Sequence, residues 1–132
     1  MTDTTLIGVY GESNSGKTHL ITQLVEYYTK QGRSIATIKK SDKHILLDTH
    51  GKDTWKHAKA GASCVVLSSA HNTDIMVQAS LDVLTIVQIV SVYHQYDLWI
   101  IEGAQQSTIP KIKTGAGPTR SHTVLELSLI HI

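Results

Sequence analysis

The chain has 132 residues, 41% apolar and 17% charged, with a formal net charge of +1. That length supports one folded domain with its own core, and the near-neutral balance argues against a nucleic-acid or membrane surface. Cys64 is the only cysteine, so no internal disulfide forms, and its apolar setting predicts a buried, reduced thiol in a cytoplasmic protein.

The opening Met1-Thr2-Asp3-Thr4-Thr5 has neither the basic start nor the apolar stretch of a signal peptide. Leu6 to Tyr10 reads as a buried strand. It runs into Gly11-Glu12-Ser13-Asn14-Ser15-Gly16-Lys17-Thr18, a complete G-x-x-x-x-G-K-[ST] phosphate-binding loop. The glycines let successive backbone N–H groups turn inward toward phosphate oxygens. Lys17 supplies a mobile charge for the β- and γ-phosphates, and Thr18 offers a hydroxyl to Mg²⁺. Leu20, Ile21, Leu24, Val25 and Tyr28 form a helical stripe, predicting a helix from Lys17 to near Gln31 that Gly32 closes. Strand, loop and helix are the context this motif requires. Gly11, Ser13, Asn14, Ser15, Gly16, Lys17 and Thr18 are therefore the expected nucleotide-binding residues.

Ser34 to Lys39 reads as the second strand, and Lys40 to Gly51 as a polar loop of a length that often carries function. Lys39, Lys40, Lys43 and Lys52 lie among Asp42, Asp48 and Asp53. That alternation suits a segment folding over an anionic, metal-bound ligand, with lysines such as Lys39 and Lys52 toward phosphate and Asp48 toward Mg²⁺. A solvated charged loop is the alternative. A short helix from about Lys52 to Ala60 carries Trp55 as a packing residue. Ser63 to Ser68 reads as a strand covered on both faces, and Thr73 to Val77 as an edge strand. Leu81 to Tyr93 is too short and polar to span a bilayer. As a helix it is apolar over more than the ~100° that one core face needs. A second covering surface, and hence a homodimer, is expected.

Asp97 to Gly103 is the clearest later strand. Its four apolar residues end in Glu102, an arrangement that suits a Walker B carboxylate holding Mg²⁺. Thr123 to Leu127 reads as the last strand, after a loop at Gly115-Ala116-Gly117-Pro118. Ser128 to Ile132 reads as a truncated or non-native tail. The alternation predicts a single three-layer α/β domain, the P-loop NTPase fold, with a mainly parallel sheet. The strand ends at Gly11, Lys39 and Glu102 then meet at one edge. The spacings of His44, His50 and His57 match no compact zinc site.

Several segments together resemble the MobB family, accessory proteins of molybdopterin-guanine dinucleotide biosynthesis. They are the phosphate loop, Ile38-Lys39, Asp48, Gly51-Lys52-Asp53, Ala60-Gly61-Ala62, Ile101-Glu102-Gly103 and Pro110-Lys111-Ile112, in order over roughly residues 5–113. Lys40 stands where the family has a histidine, Asp42 and Lys43 where it has paired histidines, and His50 where it has proline. The resemblance implies GTP bound with Mg²⁺, the guanylyltransferase acting on molybdopterin as partner, a homodimer, and slow or no GTP hydrolysis. No N-K-x-D tetrapeptide is present, so guanine follows from the resemblance alone. Two other readings stay open: a small P-loop metabolite kinase and a metallochaperone-type GTPase. The first calls for an arginine-rich lid, whereas the only arginines are Arg33 and Arg120. The second calls for a Cys/His cluster near the loops.

Overall fold

A computed structural model of the chain describes residues 4–41, 53–103 and 108–127. In chain order the elements are β1 (Thr5–Gly11), α1 (Lys17–Lys30), β2 (Ile35–Lys39), α2 (Asp53–Lys59), β3 (Cys64–Ser68) and β4 (Thr73–Val77). They continue with α3 (Val83–Tyr93), β5 (Leu98–Glu102), β6 (Lys111–Thr114) and β7 (Thr123–Leu127). The chain divides into two compact units, Met1–Ser41 with Val83–Ile132, and Asp42–Asp82.

The first unit is built on a five-stranded sheet in the order β2-β5-β1-β6-β7, with every pairing parallel. Because the pairing is parallel, the carboxyl ends of all five strands share one edge. Side chains alternate across the sheet. On one face Ile35, Val9, Leu98, Ile100 and Ile112 pack with Ile21, Leu24 and Val25 of α1. On the other face Leu6, Ile38, Trp99 and Ile101 pack with Val83, Ile86, Val87 and Val90 of α3. The continuous apolar run of β5 follows from this burial on both faces. The expected three layers are present.

Strand β6 is not evident from its sequence, Lys111-Ile112-Lys113-Thr114, yet all four residues are buried. Lys111 is fully enclosed because its Nζ donates to the carbonyls of Ile109 and Ser121, each at 3.0 Å. Lys113 is satisfied by Glu126 Oε1 and Thr119 Oγ1, both at 3.1 Å. With its charges partnered, β6 can sit beside the central strand β1.

The second unit contains α2 and the antiparallel hairpin β3–β4. Two expectations fail here. Strand β3 is not covered on both faces: only Val65 is buried, and Val66 and Leu67 are exposed. Cys64 is likewise exposed rather than buried. A two-stranded hairpin offers too little neighbouring surface to enclose an apolar run. Helix α3, in the first unit, is apolar over more than one core face, as expected, but the described residues cover one side. Leu84, Ile89, Val92 and Tyr93 remain exposed.

Candidate functional site

The carboxyl-end edge of the parallel sheet carries the candidate site. Strand β1 lies in the middle, and the chain passes from it to β2 on one side and later to β6 on the other. Such reversals leave a crevice outside the strand ends where α/β sheets take ligands. The phosphate loop, residues 11–18, occupies this position between β1 and α1.

The loop's shape follows from its residues. Gly11 pairs with Thr114 of β6, and a Cβ on Gly11 would collide with the Thr114 carbonyl and hydroxyl oxygens. Only glycine fits. Gly16 caps α1 at φ 91°, a left-handed conformation that a side chain disfavours. Asn14 also takes positive φ, 61°, which asparagine tolerates better than most residues. The Ser15 N–H donates to the Glu12 carbonyl at 3.2 Å, closing the turn. No acidic residue stands in the first turn of α1, so the positive end of the helix faces the loop without a competing carboxylate.

Lys17 Nζ donates to the Gly11 carbonyl at 2.7 Å. The ammonium therefore folds back over the loop, half-buried, onto an acceptor that an anion could replace. Ser13, Asn14 and Thr18 are exposed, and Ser15 is buried.

Glu102 ends β5, in register with Val9 of β1 and Lys39 of β2. Alternation places it on the sheet face of Leu98 and Ile100, the face that α1 covers. Lys39 Nζ lies 3.9 Å from Glu102 Oε2; the lysine side chain is largely exposed and the carboxylate mostly enclosed. The backbone is tied as well: the Lys40 N–H donates to the Glu102 carbonyl at 2.8 Å and the Gly103 N–H to that of Val9 at 3.1 Å. The structure thus brings Gly11, Lys17, Lys39 and Glu102 to one sheet edge. Asp48 and Lys52 lie outside the described residues. Among the described residues, no group of three or more His, Cys, Asp or Glu side chains is arranged to hold a metal ion.

Sequence reasoning missed Thr114, at the end of β6. Its Oγ1 lies 2.6 Å from Ser15 Oγ and 3.3 Å from the Tyr10 carbonyl. The available signal was a short Lys-Ile-Lys-Thr run ending in Gly115-Ala116-Gly117, a strand-like alternation stopped by glycine.

A glycine-shaped anion cradle at a helix N-terminus, set at the carboxyl edge of a parallel sheet beside a strand-end carboxylate, defines a P-loop domain of the nucleotide-binding class. The family model described as "Molybdopterin guanine dinucleotide synthesis protein B" matches residues 6–128, and the chain belongs to this family, MobB. A relative from Haemophilus influenzae, named a molybdopterin-guanine dinucleotide biosynthesis adapter protein, is 34% identical over 81% of this chain and 61% of its own length. A putative protein of the same name from Methanocaldococcus jannaschii is 33% identical over 91% of this chain and 53% of its own length. The chain thus spans little more than half the length of these curated relatives. The fold is that of the crystal structure of Bacillus subtilis MobB, with a TM-score of 0.77 at 20% identity over 95% of this chain and 90% of that one. A MobB homologue from Bacillus stearothermophilus gives 0.70 at 18% identity, over 93% of this chain and 77% of that one.

Proposed function

We propose that this chain is a GTP-binding adapter in molybdopterin-guanine dinucleotide biosynthesis, a cytoplasmic homodimer with slow or no hydrolysis of its own. The names of its relatives and its membership of MobB support the pathway. The observation that carries the binding reading is the phosphate loop, folded around Gly11 and Gly16 with Lys17 parked on the Gly11 carbonyl. A loop already shaped for phosphate spends little ordering entropy on binding.

In this reading Lys17 exchanges the Gly11 carbonyl for a phosphate oxygen, and the N–H groups of residues 13–18 enclose the remaining charge. The donor set fits Mg²⁺: Thr18 has an exposed hydroxyl at the start of α1, and Glu102 supplies a hard carboxylate oxygen on the same sheet face. Bound Mg²⁺ would neutralise phosphate charge. Lys39, beside Glu102, is the phosphate-side cation of this reading; Asp48 and Lys52, expected from the sequence on the metal and phosphate sides, lie outside the described residues. The partner is the guanylyltransferase that joins guanine nucleotide to molybdopterin. The exposed apolar side of α3, with Val92 and Tyr93 at 89% and 83% exposure, favours a homodimer, because apolar surface of this kind is usually covered. No described helix is long and apolar enough to cross a membrane.

Calorimetric titration of GTP and ATP, each with and without Mg²⁺, tests the proposal. Lys17→Ala is expected to weaken GTP binding roughly a hundredfold, the worth of a charge-assisted contact to phosphate, while circular dichroism stays unchanged. Glu102→Gln is expected to weaken Mg²⁺-dependent binding and spare metal-free binding. Equal affinity for ATP and GTP would remove guanine from the assignment, and a monomer in sedimentation equilibrium would remove the dimer.

A further inference from the structure

Thr114 and Ser15 are 99 positions apart, yet their hydroxyl oxygens lie 2.6 Å apart in the protein interior. Ser15 is 4% exposed and Thr114 fully enclosed. Thr114 Oγ1 donates to the Tyr10 carbonyl at 3.3 Å, so the proton it shares with Ser15 comes from the serine. The result is a short chain, Ser15 to Thr114 to Tyr10, in which β6 holds the middle of the phosphate loop and the residue before it. Gly115 continues the contact, since a Cβ there would stand 2.9 Å from Ser15 Cβ. Its own N–H is fixed to the Leu127 carbonyl of β7 at 2.8 Å. The aromatic end of Tyr10 is also tied to this side of the sheet: its Oη lies 2.7 Å from Thr123 Oγ1 and accepts from the Arg120 N–H at 2.8 Å.

We propose that Thr114 is a positioning residue for triphosphate binding, a latch that holds the phosphate loop in its anion-ready shape through Ser15. The inference rests on the nucleotide-binding reading above and deepens it. Both hydroxyls are buried: loss of the Thr114 hydroxyl leaves the Ser15 proton without its acceptor, and loss of the Ser15 hydroxyl leaves Thr114 its bond to Tyr10 but frees the loop from β6. A loop released at Ser15 must be ordered again each time an anion binds, and that cost appears as lost affinity. Glycines shape the loop from within, and Thr114 fixes it from the neighbouring strand.

The test is calorimetric binding of inorganic tripolyphosphate and of GTP, each with Mg²⁺, to the full chain. Thr114→Val keeps the side-chain shape and removes the hydroxyl; it is expected to weaken both ligands about five- to tenfold. Thr114→Ser restores the hydroxyl and is expected to return affinity to near the wild-type value, a rescue that a merely space-filling role would not give. Ser15→Ala reaches the same bond from the other side and is expected to weaken binding similarly. The double variant should be no weaker than the weaker single variant, because both remove one interaction. Wild-type affinity in Thr114→Val, or failure of Thr114→Ser to rescue, overturns the latch. If Thr114→Val does not fold, wild-type affinity in Ser15→Ala overturns it instead. A wild-type chain that binds neither ligand overturns the nucleotide reading and the latch together, whereas binding that ignores Thr114 overturns the latch alone.

Discussion

Strands β6 and β3 invert what their compositions suggest. Lys111-Ile112-Lys113-Thr114 is half lysine and wholly buried, whereas Cys64-Val65-Val66-Leu67-Ser68 is mainly apolar and exposed at every position but Val65. The difference lies in the neighbours. Strand β6 stands between β1 and β7, and each lysine ammonium has oxygen partners within 3.1 Å. Among the described residues strand β3 has one hydrogen-bonded neighbour, β4, which also exposes most of its side chains. Burial is thus conferred by what surrounds a strand, and a charged side chain is admitted once its polar end is bonded.

The sharpest way to break this comparison is Lys111→Ala. It deletes an enclosed side chain and strands the Ile109 and Ser121 carbonyls, so we expect a loss of about 3 kcal/mol in urea unfolding. A loss below about 0.5 kcal/mol would mean that water reaches those carbonyls and that β6 is not sealed.

A smaller, pH-dependent effect is expected at the opposite edge of the sheet, where β2 and β5 begin. The Ser34 N–H donates to Asp97 Oδ2 at 2.9 Å, and the Asp97 N–H donates to Ser34 Oγ at 3.0 Å. The bond from the Ser34 backbone holds the Asp97 carboxyl below its ordinary value; desolvation opposes this, and the Ser34 side chain, Arg33 and His94 reinforce it. A depressed carboxyl in the folded state stabilises above the unfolded-state value, and the contribution is lost as pH falls through the folded one. Wild type should therefore exceed Asp97→Asn in unfolding midpoint at neutral pH, with the gap closing in acid below the ordinary aspartate range. A gap that persists unchanged in acid would assign the effect to packing.

The smallest effect is expected in the hairpin. Val66 and Ile75 face each other across β3 and β4 and are 52% and 65% exposed. Val66→Thr keeps the β-branch and should change stability by no more than about 0.5 kcal/mol in dilute protein. A larger, concentration-dependent loss would place the hairpin in an oligomer interface and sharpen the comparison, since β3 would then be buried by a second copy.

The local sequence determined the phosphate loop, the strand before it, the helix after it and the acid-terminated strand β5. Each of these is encoded by short-range rules: glycine where a Cβ cannot fit, a helical stripe at i, i+3 and i+4, and an apolar run covered on two faces. The positions of residues 11–18 and Glu102 at the strand ends were legible for that reason, and so was the alternation that makes a three-layer parallel sheet. Only the tertiary structure decided that Lys111 and Lys113 are interior, that Cys64 and Val66 are exterior, and that Thr114 reaches Ser15. Those outcomes depend on partners at distant positions in the chain, such as Ser121 for Lys111 and Ser15 for Thr114. Periodicity reports which face a side chain takes; it does not report what stands opposite, and in a protein interior that neighbour sets both the cost of burial and the use of the group.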